Sequence, residues 1–199
     1  MDKEQLTQRL KEKKFPDKIV AAFSTVDREK FFPKKLRKFA YNDEAYPLGG
    51  GATISQPSTI AFMFSLLEIK DGQKILEVGS GSGYVLELLS EISGGSKIYG
   101  VEIIDKLIKS SRKSLSSRGN IQIFKALEVL GLPEKKPFDR ILVSAAGTEI
   151  SRELIGQLID GGIMVCPVYN SIIKAVKTGD EITIQEFPGF VFVPLITKF

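Results

Sequence analysis

The chain of 199 residues contains no histidine. That absence excludes Ser–His–Asp and Cys–His catalysis, imidazole general bases and His-ligated metal sites. It contains one cysteine, Cys166, which excludes an intrachain disulfide and a thiolate zinc cluster and suits a reducing compartment. Cys166 stands in an apolar run from Gly162 to Val168 and reads as a small core residue. No apolar run approaches the roughly 20 residues of a membrane span. The first residues, Asp2, Lys3 and Glu4, mix both signs of charge, unlike a secretory or transit peptide. An excess of one charge is also missing: 28 Lys and Arg face 24 Asp and Glu, and a net +4 is too small to require a nucleic-acid partner. What remains is a single cytoplasmic domain, residues 1–199, expected as a monomer with no metal, membrane or nucleic-acid partner.

Residues 2–14 read as a surface helix with Leu6 and Leu10 one turn apart, and 17–26 as a second helix. The basic cluster Lys34, Lys35, Arg37 and Lys38 reads as a solvated face. Residues 41–57, with Gly49-Gly50-Gly51, read as an irregular loop leading into an apolar helix over 58–68, so that 1–57 precede a Rossmann-like core over 58–199. Strand and helix then alternate, which calls for a parallel sheet with right-handed crossovers. The expected strands are 74–78, 97–101, 121–124, 140–144 and 163–168, and the helices 84–92, 105–117 and 151–159. A hairpin over 172–176 and 181–186 and a last strand over 190–195 add antiparallel pairing. The fold class is α/β, a three-layer sandwich around a mostly parallel sheet.

The segment Glu77-Val78-Gly79-Ser80-Gly81-Ser82-Gly83 ends a strand and opens a helix. Glycines there let a ligand approach the backbone at a helix N-terminus. Gly79, Gly81 and Gly83 alternate, so the spacing differs from a dinucleotide fingerprint, and the acid Glu77 stands beside them. An acid suits S-adenosylmethionine, whose ammonium and sulfonium groups are cationic and which has no pyrophosphate. Glu102, at the end of the next strand, is placed to accept hydrogen bonds from ribose hydroxyls. On its own residues, Ser55 before Gln56-Pro57 is a turn or helix-start position.

Taken in order, Tyr41 to Gly49, Thr53-Ile54-Ser55-Gln56-Pro57, the glycine turn, Pro137-Phe138-Asp139-Arg140-Ile141, Ser144-Ala145-Ala146 and Phe192-Val193-Pro194-Leu195 resemble the protein-L-isoaspartate O-methyltransferase family of class I methyltransferases. The resemblance implies methyl transfer from S-adenosylmethionine to the free α-carboxylate of L-isoaspartyl residues in damaged peptides and proteins. The ester then cyclises to a succinimide that reopens partly to aspartyl. It implies Ser55 as the active-site residue. Ala52, Thr53 and Ile54 would line the methionine end of the cofactor, and Ser55, Glu77, Gly79, Gly81, Gly83, Glu102 and Ile103 would contact it. Phe192 to Leu195 would cover the peptide. The alternatives are a related methyltransferase with another acceptor and a cofactor-binding protein without catalysis. Because the acceptor is already ionised and no histidine is present, the rate is expected to be flat from about pH 6 to 8.

Three places depart from the family pattern. Its usual Gly-Asp-Gly is replaced by Ala126-Leu127-Glu128, so the adenine meets either Glu128 or an apolar wall made by Leu127. Tyr169 follows Pro167-Val168 where the family has glycine, and the chain stops at Phe199 without a further helix.

Overall fold

The computed structural model describes residues 1–196, and the chain end at Phe199 lies outside them. The chain opens with α1 (Lys3–Glu12) and α2 (Asp17–Thr25). Asp2 and Gln5 close a capping box at the start of α1, and Leu6 and Leu10 are its buried residues. Two 3-10 turns, Arg28–Phe31 and Lys34–Phe39, follow. The stretch expected as an irregular loop instead contains a small antiparallel hairpin, β1 (Tyr46–Gly49) and β2 (Ala52–Ile54). Its turn is made by Gly49, Gly50 and Gly51, all at positive φ (95°, 63° and 83°), a region open to glycine without steric cost. Pro57 then occupies the first turn of α3 (Pro57–Leu67), where a missing N–H costs no helical bond.

The core alternates as expected: β3 (Lys74–Val78), α4 (Tyr84–Ile92), β4 (Lys97–Glu102), α5 (Asp105–Ser114), β5 (Ile121–Lys125), β6 (Phe138–Val143), α6 (Arg152–Ile155) and β7 (Leu158–Val168). The hairpin of β8 (Ser171–Thr178) and β9 (Glu181–Pro188) completes the sheet. Its order is β5-β4-β3-β6-β7-β8-β9, parallel through β7 and antiparallel beyond, with β9 at one edge. The chain reverses direction across the sheet between β3 and β6. At such a switch point the strand ends diverge and leave a crevice.

Alternating residues send the strands' apolar side chains to two faces. Ile75, Ile98, Leu142 and Val165 join one cluster with residues of α1 to α5, while Leu76, Tyr99, Ile141 and Met164 join another with Leu154 and Ile155 of α6. The three layers are therefore unequal, with α6 the α-helix that contributes to the second cluster among the described residues.

Two expectations are corrected here. The helix over 151–159 is only the single turn of α6, because Gly156 caps it and Leu158 already pairs with Phe138 in the sheet. The strand over 190–195 is not formed: Pro188 and Gly189 (φ 97°) turn the chain away, and Pro194, which has no N–H to give a ladder, makes one isolated bridge to Ala146.

Candidate active site

A cleft opens outside the carboxyl ends of β3, β4, β5 and β6, lined from each in turn by Val78 and Gly79, Glu102 and Ile103, Ala126 to Gly131, and Ser144 and Ala145. Its roof is the β1–β2 hairpin and its far wall Val193 to Ile196. The hairpin is seated closely. A Cβ added at Gly50 would lie 3.2 Å from the Ile104 side chain, and one at Gly81 would lie 3.6 Å from Leu48.

The glycine turn divides into two roles. Gly79 (φ 81°) and Gly81 (φ 54°) line the cleft and present backbone to it. Gly83 does not line it. A Cβ there would stand 2.7 Å from Leu115 and 3.1 Å from Ser111, so this glycine lets α4 start against α5.

Glu102 is 5% exposed and lines the cleft. Gly81 N–H donates to its Oε2 at 2.7 Å, and Ile103 and Ile104 N–H donate to its Oε1 at 2.8 Å each. A carboxylate has about four lone-pair sites, so three backbone donors leave one hydroxyl an unshared acceptor and a second a shared one. Glu77 lies beneath the floor rather than in the lining. Ser144 Oγ donates to its Oε1 at 2.7 Å, and its Oε2 is buried without a partner. Burial pushes the Glu77 carboxyl up to about 8, the Ser144 hydrogen bond opposing and the Glu102 charge adding to it.

Of the residues singled out in the sequence, the cleft gathers Ala52, Thr53, Gly79, Gly81, Glu102, Ile103, Leu127 and Glu128. Ile54 is buried in the core at 4% exposure, and Ser55 stands half-buried just beyond Thr53, its carbonyl accepting from Arg28 Nη2 at 2.7 Å. Sequence reasoning missed Gly131 and the residue that holds it. Leu132 N–H donates to Gln157 Oε1 and Gln157 Nε2 donates to the Leu130 carbonyl, both at 2.8 Å, which fixes the loop that closes the cleft. Only a pairing across 25 residues produces that contact, and no local pattern announces it.

The donor set tests what the cleft could hold. Its charged lining residues are Glu102 and Glu128, with no Lys or Arg among them. Such a lining has nothing to pair a phosphate and favours a cationic ligand. The apolar side chains of Leu127, Val129 and Leu130 are part of the lining. These features fit an adenosyl sulfonium compound and do not fit a pyrophosphate. Among the described residues no group of three or more His, Cys, Asp or Glu could hold a metal ion, and no helix is long and apolar enough to cross a membrane.

The chain is 39% identical over 188 residues to the protein-L-isoaspartate O-methyltransferase of Methanothrix thermoacetophila, covering 92% of this chain and 90% of that one. It is 37% identical over 201 residues to that of Christiangramia forsetii, covering 98% and 93%. Among solved structures, a protein-L-isoaspartate O-methyltransferase superposes with a TM-score of 0.88 at 24% identity, covering 98% of this chain and 66% of the other. A Plasmodium falciparum chain assigned to the same enzyme and solved with S-adenosyl-L-homocysteine gives 0.85 at 23% identity, covering 99% of both. The family model for protein-L-isoaspartate(D-aspartate) O-methyltransferase matches residues 1–199, and the chain belongs to that family.

Proposed function

We propose that this protein transfers a methyl group from S-adenosylmethionine to the free carboxylate of L-isoaspartyl residues in damaged peptides and proteins, as a repair step in the cytoplasm. Family membership supports the reading, and the observation that carries it is the wholly acidic charged lining of a cleft built on a glycine turn. When bound, the cofactor supplies an electrophilic methyl group.

The chain's own residues supply position. Glu102, held by three backbone N–H groups, accepts a ribose hydroxyl. Gly79 and Gly81 let the ligand approach the backbone, and Glu77 lies beneath them with one oxygen left unpartnered, an acceptor near the cationic end. Leu127 gives the adenine an apolar wall, with Glu128 beside it as the nearest carboxylate in the sequence. Ala52, Thr53 and Ile54 carry the chain from the roof to Ser55, whose hydroxyl we assign to the acceptor carboxylate. Val193 to Leu195 cover the peptide. The acceptor carboxylate is ionised near neutral pH, so the site needs no general base and works by alignment and exclusion of water.

Methyl incorporation into an isoaspartyl peptide, the matching aspartyl peptide and RNA, measured in parallel, tests the reading. Incorporation confined to the isoaspartyl peptide is expected. Transfer to RNA or equal transfer to both peptides would replace it with another acceptor.

A further inference from the structure

Arg28 is 0% exposed, the largest fully buried side chain among the described residues. Among the described residues no carboxylate forms an ion pair with it. The nearby acid Asp43 is engaged elsewhere, accepting from Ser58 N–H at 2.8 Å and facing Arg9 Nε at 3.3 Å. Instead, its two Nη groups donate to backbone carbonyls, while Nε is buried without a partner. Nη1 donates to Ala40 at 2.7 Å and Asn42 at 3.0 Å, and Nη2 donates to Glu44 at 3.3 Å and Ser55 at 2.7 Å. Its plane is held 5.0 Å from the Phe32 ring and 5.5 Å from the Tyr84 ring.

The placement of these carbonyls is informative. Glu44 and Ser55 flank the β1–β2 hairpin on either side, so a single nitrogen clamps both feet of the element whose tip roofs the cleft. Tyr84, whose ring is the second beside the guanidinium, follows Gly83 directly and opens α4. A buried cation is a poor way to add stability, since an apolar side chain of similar volume avoids the desolvation cost. What a five-donor planar fork provides that an apolar group cannot is fixed geometry among several acceptors. Burial pulls Arg28 down to about 10, which leaves it charged at neutral pH and able to donate from both Nη atoms.

We infer that Arg28 is a positioning residue for methyl transfer: by tying the Ser55 backbone and the foot of the hairpin to the start of α4, it sets the acceptor side of the site relative to the glycine turn. This inference rests on the proposed assignment of Ser55 to the acceptor. It separates two quantities that a purely structural role would move together. The cofactor contacts at Gly79, Gly81 and Glu102 lie outside the clamped hairpin, which adds only its tip to the cofactor cleft, so cofactor affinity should move less than alignment of the acceptor.

Arg28→Lys retains the charge and removes the fork. For the fraction of molecules that bind S-adenosylhomocysteine, counted by calorimetric stoichiometry, kcat on an isoaspartyl peptide should fall by about 10²-fold, the cost of misplacing reacting groups by about 1 Å. The dissociation constant for S-adenosylhomocysteine should stay within about threefold, a shift of under 1 kcal/mol. Phe32→Leu, which removes one ring beside the guanidinium and none of its four acceptors, should lower kcat in the same direction by a smaller factor, and this holds the test open if Arg28→Lys does not fold. Unchanged kcat per binding-competent molecule in the variant that folds, with only a lower melting temperature, would overturn the inference. So would loss of cofactor affinity in step with kcat. A wild-type protein that does not methylate isoaspartyl peptide would overturn the functional reading itself, and the inference with it.

Discussion

At the scale of single residues, two carboxylates one strand apart are set to opposite tasks by their surroundings. Glu102 is held by three backbone N–H groups, an environment that suits an anion and presents its remaining lone pair to the cleft. Glu102→Gln would turn an amide N–H₂ toward those donors and remove the charge. Affinity for S-adenosylhomocysteine should drop by about 1–3 kcal/mol, the cost of a lost charged hydrogen bond together with an unsatisfied group. Calorimetry on folded variant reads this, and unchanged affinity would remove the ribose assignment. Glu77 is the opposite case, a carboxyl whose burial raises it to about 8 from an ordinary 4.5. Its folded-state pKa is raised, so its contribution to stability is fully present below the unfolded value and is lost as pH rises through about 8. Denaturant unfolding of the ligand-free protein should show Glu77→Gln gaining stability relative to wild type between about pH 5 and pH 9. A constant difference across that range would show that Glu77 is ionised throughout. Glu77 was legible in the sequence as an acid beside the glycines, but its burial was not, because it comes with the central place of β3 between β4 and β6 in the sheet.

Among elements, the parallel core was readable because its strands are short apolar runs closed by turns, and β3, β4 and β6 are each followed by a helix of different period. The β1–β2 hairpin was not readable. Its strands have four and three residues, too few for alternation to register, and its consecutive glycines resemble any loop. The single turn of α6 was over-extended for the converse reason, since Leu154, Ile155 and Leu158 keep helical spacing although Leu158 belongs to β7. Glycines were legible as a set and not individually. Gly81 is free of bulk because a ligand is expected there, whereas Gly83 is free of it because α5 is already there. Gly83→Ala would place a side chain at φ 85° against Leu115 and should destabilise the fold by about 1–2 kcal/mol. Because Gly83 does not line the cleft, S-adenosylhomocysteine affinity should change little. Thermal unfolding with a parallel titration checks both, and a loss of affinity with intact stability would return Gly83 to the cofactor contacts. Arg28 escaped sequence reading altogether, since all four of its acceptors are main-chain carbonyls, which every residue possesses.

For the molecule as a whole, the architecture puts its chemistry at one end of the sheet, where the parallel strands finish, while the antiparallel strands extend the sheet to one side. That extension has a consequence for the protein in bulk solution. Among the described residues β9 has one neighbour, β8, so its outer row of amide and carbonyl groups faces away from the sheet. Ile182 and Ile184 stand 39% and 51% exposed on it, beside the charges of Glu181 and Glu186. Like charges on two such edges repel, and added salt weakens that repulsion over a Debye length of about 3 Å at 1 M against about 10 Å at 0.1 M. Light scattering from concentrated samples should therefore grow with ionic strength while the circular dichroism of the folded protein is retained, and Ile184→Lys should suppress it. Scattering that is indifferent to both salt and this substitution would show that β9 is not where molecules meet. Colloidal behaviour on storage thus depends on a strand at the sheet's edge, and a single charge there would improve handling without disturbing the reaction.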